Sequence, residues 1–328
     1  MEPVRFGVVS TARIAREKVI PAMQKGRLTR IAAIASRDLE RARQVADELG
    51  IDRAYGSYAE LLADAGIEAV YNPLPNHLHV PITIEAASAG KHVLCEKPIA
   101  LSAEEAEKLI GVRQRTGRLI LEAFMVRQHP QWQTVRELVR AGRIGDVRAF
   151  QMTFGYANLD PDNVRNRADI GGGALYDIGC YPIALARFVL GREPLRAAAV
   201  VEHDPAFRTD RLTSALLDFG DAQASFTVST QTAPYQRALI FGSEGRIEVE
   251  VPVNAPPDRR CRVLLAGAGG TETLEHEAVD QYTLQGDVFA ELVRTGAGPP
   301  FPLEDAIRNI AVIDATFRAA ASGRFEAV

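Results

Sequence analysis

Three clusters in this 328-residue sequence hold side chains able to move protons or bind anions. The first is Glu96-Lys97-Pro98, a carboxylate, an ammonium and a rigid proline directly behind the apolar run Val93-Leu94-Cys95. Such a run suits a strand buried on both faces of a parallel sheet. Its end then lies at the carboxyl edge, where open α/β sheets bind their ligands. A surface ion pair and a turn would read the same from these three residues alone. The second cluster is Asp177 and Tyr181, behind Gly171-Gly172-Gly173 on a helix predicted to begin near Ala174. At a spacing of four they project from one helix face. A carboxylate one turn from a phenol is an acid–base unit: the acid orients the phenol or the substrate, and the phenol exchanges the proton. The alternative is a plain Tyr–Asp hydrogen bond at a domain seam, and a buried Asp needs a partner in either case. The third cluster is Ser36-Arg37-Asp38 with Arg41. Two cations beside a serine at a strand tip suit the 2′-phosphate of NADP, whereas an acid there would take the 2′-hydroxyl of NAD. Asp38 is instead placed to cap a helix starting at Leu39. NADP is therefore favoured over NAD, with a solvated surface arginine as the competing reading of Arg37.

The elements that must carry these groups follow from periodicity. Val4–Val9 reads as a strand, then a tight turn, then a helix with Ile14, Ala15, Val19, Ile20 and Met23 on its apolar face. A dinucleotide fingerprint would place three glycines at Ser10, Ala12 and Ala15. The small residues there still let backbone approach a phosphate at the helix N-terminus. Strand Leu28–Ala35 leads to the Ser36 tip. The alternation continues through helices 39–49 and 58–63, strand 68–71, helix 79–89, strand 93–95, helix 103–116 and strand 119–121. This is the pattern of a doubly wound parallel sheet. The loop Asn72–His79 ("NPLPNHLH") follows a strand and so shares the ligand edge; its two prolines make a rigid wall. His77 and His79 resemble half a metal site, but no third ligand stands at useful spacing, so no metal is expected.

After Glu122 the pattern changes to a helix at 131–141 and a strand at 147–154. Short β runs then dominate from about Ala197, at 197–202, 213–218, 223–229, 237–241, 246–250 and 262–265. They predict a large open, mostly antiparallel sheet with one covered face and one free for a partner subunit. Helices at 282–295 and 303–322 close the chain. The expected fold class is α/β, a parallel-sheet domain over 1–122 followed by an α+β domain over 123–328, with a C-terminal helix able to pack back on the first domain. A net charge of −4 without a basic run argues against nucleic acid. Three scattered cysteines (Cys95, Cys180, Cys261) fit neither a disulfide framework nor a metal motif. No signal-peptide layout or membrane-spanning run is present, so a cytoplasmic setting is expected.

Taken in order, the strand–turn–helix start, "PNHLH" at 75–79, "EKP" at 96–98, "EAFMVRQHP" at 122–130, "GGGALYDIGCY" at 171–181 and "FGSEGRIEV" at 241–249 resemble the Gfo/Idh/MocA oxidoreductases over nearly the whole chain. Within them the chain looks most like the branch of glucose–fructose oxidoreductase, NADP-dependent D-xylose dehydrogenase and dimeric dihydrodiol dehydrogenase, which carries tyrosine where many relatives carry histidine. The resemblance implies a Rossmann-type first domain and NADP(H)-dependent hydride transfer at a hydroxyl or carbonyl carbon of an aldose or polyol. An alternative within it never releases the cofactor and alternates between two sugars; a catalytically silent sensor is a third reading. It implies Lys97, Tyr181 and Asp177 as catalytic residues, with the proton transfer open between Lys97 and Tyr181, and a cis Lys97–Pro98 bond. It implies cofactor contacts from Ser10, Thr11, Ala12, Ile14, Ser36, Arg37, Arg41, Leu74, Pro75, Asn76, His79, Glu96, Lys97 and Arg127. Tyr156 and Arg167 join Lys97, Asp177 and Tyr181 as substrate-pocket candidates. A homodimer or homotetramer through the open sheet is expected.

Overall fold

Six strands run parallel in the first sheet of the computed structural model, which describes residues 1–328: β1 (Val4–Val8), β2 (Thr29–Ala35), β3 (Arg53–Tyr55), β4 (Ala69–Asn72), β5 (His92–Cys95) and β6 (Ile120–Glu122). Their order is β3-β2-β1-β4-β5-β6. Side chains such as Phe6, Val8, Ile34, Val70 and Leu94 are buried, as expected for strands covered by helices on both faces. After β3 the chain returns to the far side of β1, so the strand order reverses between β1 and β4. That switch point opens a crevice at the carboxyl ends.

Local chemistry sets the helix limits. Asp38 Oδ1 accepts the backbone N–H groups of Glu40 and Arg41 at 3.0 and 3.2 Å, and Ser57 and Ser102 cap the helices Tyr58–Ala63 and Ala103–Thr116. The helix after β1 differs from the regular one expected. It is a π-turn, Ala15–Val19, followed by a short helix Ile20–Met23. Pro21 lacks the N–H that an α-helical bond back to residue 17 requires, so the wider turn is the natural outcome. The first unit comprises Met1–Met125 and Gln281–Ile307. Phe289, on the helix Gln281–Thr295, packs on Phe6 with ring centroids 5.6 Å apart, and Arg294 on the same helix grips Glu68 at 2.7 and 3.0 Å.

The second unit, Val126–Asp280 with Arg308–Val328, is built on nine strands. They are β7 (Val147–Ala157), β8 (Arg196–His203), β9 (Asp210–Asp218), β10 (Gln223–Ser229), β11 (Gln231–Gly242), β12 (Gly245–Val249), β13 (Cys261–Gly267), β14 (Gly270–His276) and β15 (Glu326–Ala327). The order is β14-β13-β12-β11-β7-β10-β9-β8-β15; β7 and β10 pair in parallel and the other pairs are antiparallel. Alternation puts Phe150, Met152 and Phe154 of β7 on the buried face beside Phe226 and Val228 of β10. Helices Pro130–Arg140 and Cys180–Leu190 belong to this unit, and Trp132 is buried with its indole N–H donating to Pro252 O at 2.7 Å. No helix is long and apolar enough to cross a membrane.

Candidate active site

Each unit brings together its own set of chemically capable side chains. In the first, the turns after β1, β2, β4 and β5 all leave the same edge of the sheet, because all the strands point one way. Ser10 Oγ accepts the N–H of Ala12 at 3.0 Å, which tightens the glycine-free turn after β1; Ser10, Thr11, Ala12 and Ile14 are all partly exposed there. At the tip of β2, Ser36 Oγ accepts the N–H of Asp38 at 3.2 Å. Asp38 is committed to its helix cap, whereas Arg37 is exposed and makes no ion pair, and Arg41 Nη1 donates to Gln44 at 2.8 Å. The strand tip therefore presents cations. Tyr58 lies near enough for Arg37 to draw its phenol down, although burial, the larger effect, raises it.

The segment that carries Lys97 is anchored at several points. Glu96 receives the Tyr71 hydroxyl on Oε1 at 2.7 Å and the Lys97 N–H on Oε2 at 3.3 Å. Glu122, at the end of β6, accepts the N–H of Ile99 at 2.8 Å. The Lys97–Pro98 bond between these anchors is cis. His79 joins the two loops of the edge: its ring nitrogens lie 2.7 Å from Pro98 O and from Leu74 O. Burial pulls its pKa down to about 4 against those carbonyls, so the ring is neutral and donates one N–H. With both nitrogens turned to backbone and 1% of the residue exposed, His79 braces the edge from behind instead of lining it. Leu74 is likewise buried, and Pro75 and Asn76 remain partly exposed.

In the second unit the expected acid–phenol helix starts with another π-turn, Leu175–Gly179, before the α-helix Cys180–Leu190. The partner that a buried Asp177 requires is Tyr156, whose hydroxyl donates to Oδ2 at 2.5 Å. A second partner, Arg165, places Nε 2.9 Å from Oδ1. Asp177 acts first, with the Tyr156 and Tyr181 phenols, to hold the Arg165 guanidinium above its ordinary range against burial. Phe154 and Tyr156 share one face of β7. Phe154 packs on the Tyr181 ring with centroids 6.2 Å apart while Tyr156 takes Asp177, so this strand positions both functional side chains. Asn309 donates to Cys180 O, directly before Tyr181, at 3.3 Å and accepts from Arg187 at 3.2 Å.

The family resemblance implied Arg167 as a substrate-pocket residue, but the structure puts that side chain in solvent, paired with Asp169 at 2.8 Å. Arg165 is the residue that reaches Asp177. The backbone explains the difference. Gly173 N–H donates to Arg165 O at 2.8 Å and Gly172 N–H to Arg167 O at 2.9 Å, clasping the loop against the start of the helix. A Cβ on Gly172 would sit 2.5 and 2.7 Å from those two carbonyl oxygens, and Gly173 has φ +120° with an added Cβ there colliding with Asp210 Oδ1. Asp210, unmarked by any motif, accepts the N–H of Leu175 at 2.7 Å and the Thr213 hydroxyl at 3.0 Å. Arg127 is buried at the start of the second unit, with its carbonyl taken by Gln133.

Comparison with known proteins agrees with both halves of this description. A family model described as "Oxidoreductase family, NAD-binding Rossmann fold" matches residues 4–124, and the "GFO/IDH/MocA C-terminal domain" matches 132–248. An uncharacterized oxidoreductase of Rhizobium meliloti is 51% identical over the full length of both chains. D-xylose 1-dehydrogenase (NADP(+)) 2 of Haloferax volcanii is 37% identical over 97% of this chain and 98% of its own. Among solved structures, the 3-ketoreductase KijD10 of Actinomadura kijaniata, in complex with NADP and TDP-benzene, superimposes with a TM-score of 0.92 at 33% identity, covering 97% of this chain and 98% of that one.

Asp210 generates a pH prediction. Burial pushes its carboxyl up to about 7, overcoming the hydrogen bonds that favour the carboxylate. An unfolded Asp titrates near 4, roughly. Between those values the folded state binds more protons, so this group stabilises fully below pH ~4 and its contribution is lost as the pH rises toward 7. Denaturation of Asp210→Asn across that range is expected to show a flatter fall in stability than wild type; parallel curves would contradict the assignment.

Proposed function

The chain belongs to the GFO/IDH/MocA oxidoreductase family, and from that premise we propose that it is an NADP-dependent oxidoreductase interconverting the hydroxyl and carbonyl forms of an aldose or polyol at a carbon such as C1. The observation that carries this reading is the acid–phenol helix: Asp177, fixed by Arg165 and Tyr156, stands four residues before Tyr181. The names of the Haloferax and Actinomadura proteins support a sugar substrate and NADP.

The residues present fit a dinucleotide. The reversal of strand order between β1 and β4 gives the crevice, and the tight turn after β1, held by the Ser10–Ala12 hydrogen bond, leads into the helix start where a phosphate would lie. Ser36, Arg37 and Arg41 supply donors and positive charge for a 2′-phosphate. Pro75 and Asn76, with buried Leu74 beneath them, would form the wall beside the nicotinamide end, and Glu96 and Arg127 are further contacts in this reading. When bound, NADP supplies the hydride acceptor or donor at its nicotinamide ring. The chain's own residues do the rest. Lys97, on the segment anchored by Glu96 and Glu122, polarises the substrate oxygen through Nζ. Tyr181 Oη holds or takes the hydroxyl proton. Asp177 and Tyr156 orient the substrate beside that phenol. A positioned general base contributes typically 10²- to 10⁴-fold, which sets the scale of the mutational test.

Lys97→Ala and Tyr181→Phe are each expected to lower kcat by about 100-fold or more, while NADP affinity, read by fluorescence titration, stays near wild type. Wild-type rates in both variants would refute the site. Arg37→Ala is expected to raise KM for NADP by about tenfold, the cost of one charge-assisted contact, and to leave KM for NAD nearly unchanged. Equal rises for the two cofactors would make Arg37 a surface residue only.

A further inference from the structure

We propose that Arg165 is a substrate-binding residue whose guanidinium donates to one hydroxyl of a neutral polyol, and that it thereby sets sugar specificity. The inference rests on the sugar chemistry proposed above and deepens it. Arg165 meets Asp177 through Nε, 2.9 Å from Oδ1. Its side chain is 39% exposed while that of Asp177 is 12% exposed, so the cation is the more accessible member of the pair. A guanidinium carries five N–H donors in a rigid plane, and one contact to a carboxylate leaves directed donors on the opposite edge.

The loop around it is set before any ligand arrives. Arg165 N–H donates to Asn163 Oδ1 at 3.1 Å, and Arg165 O accepts from Gly173. Asn166 Nδ2 donates to Asn158 O at 3.2 Å and Asp160 O at 2.8 Å, tying the loop across its base. A donor held this way loses little entropy on binding. The Tyr181 phenol contributes to the field at the guanidinium, so Arg165 lies within electrostatic reach of the group assigned to proton transfer. By contrast, Arg167 spends its guanidinium on Asp169 in solvent.

The same pair argues for a neutral ligand. Asp177 cancels most of the charge on Arg165, so a sugar phosphate or uronate would meet a carboxylate 2.9 Å behind the cation and gain little from it. A hydroxyl needs only a donor and an acceptor, and the Arg–Asp edge supplies both.

The test compares wild type with Arg165→Met and Arg165→Lys, using NADP and the best aldose of a panel, together with its monodeoxy analogues. Wild type is expected to lose roughly 10- to 100-fold in kcat/KM on one deoxy analogue, mainly through KM. Arg165→Met should lose a similar factor on the parent aldose and show no further loss on that analogue, with NADP affinity unchanged. Should the Met variant fail to fold, Arg165→Lys carries the comparison, with a reduced penalty at that one position. Equal deoxy penalties at every position in wild type and variant would overturn the assignment while leaving the proposed function intact. A wild-type preference for the corresponding uronate or sugar phosphate would also overturn it. Wild-type enzyme inert toward every aldose and polyol would overturn both readings together.

Discussion

All six strands of the first sheet point the same way, and this one constraint gathers the polar turn residues of the first unit. Parallel pairing sends every carboxyl-end turn to a single edge, so residues as distant in sequence as Ser10, Ser36, Asn76 and Lys97 share it. Topology alone would leave these turns loose. The edge is fixed by polar cross-braces behind it: Tyr71 to Glu96, Glu122 to the backbone of Ile99, and neutral His79 between Leu74 and Pro98. Together these braces stiffen the segment that presents Lys97.

The second unit solves a different problem, that of holding a carboxylate away from bulk water. A half-buried ion pair contributes little net stability, because desolvation and solvent screening offset most of the attraction. Its value here is orientation. Arg165 and Tyr156 fix the two oxygens of Asp177 from different elements, one on a loop and one on β7, and the glycine turn clasps that loop against the helix start. Phe154 and Asn309 then set the neighbouring phenol from two sides. The glycines serve close backbone approach, and a side chain at either Gly172 or Gly173 would force the clasp apart.

Much of this was legible in the sequence where the determinants are local. The helices Leu39–Leu49, Tyr58–Ala63 and Ala103–Thr116 have the bounds their periodicity predicts, because Asp38, Ser57 and Ser102 cap them within their own first turns. Lys97, Asp177 and Tyr181 were visible because strand ends and helical spacing place them without knowledge of the rest. β3 escaped notice because three residues carry no period, and β14 because its sequence Gly270–His276 has Leu274 as its only large apolar residue. Arg165 was hidden for a deeper reason. Arginines 165 and 167 sit in an irregular loop, and only the carbonyls claimed by Gly173 and Gly172 decide which side chain turns toward Asp177. Asp210 was likewise unreadable, since it meets the helix start from a strand 35 residues away. Tyr156 shows what a usable signal looks like, standing two residues from Phe154 on the same face of a strand.

The account's central claim is direct hydride transfer between a sugar carbon and the nicotinamide. The most direct measurement incubates the enzyme with NADP⁺ and an aldose deuterated at every carbon, in ordinary water, and weighs the reduced cofactor by mass spectrometry. The account predicts NADPH heavier by about one mass unit. Reduced cofactor of ordinary mass, or no reduction with any aldose or polyol, would contradict it.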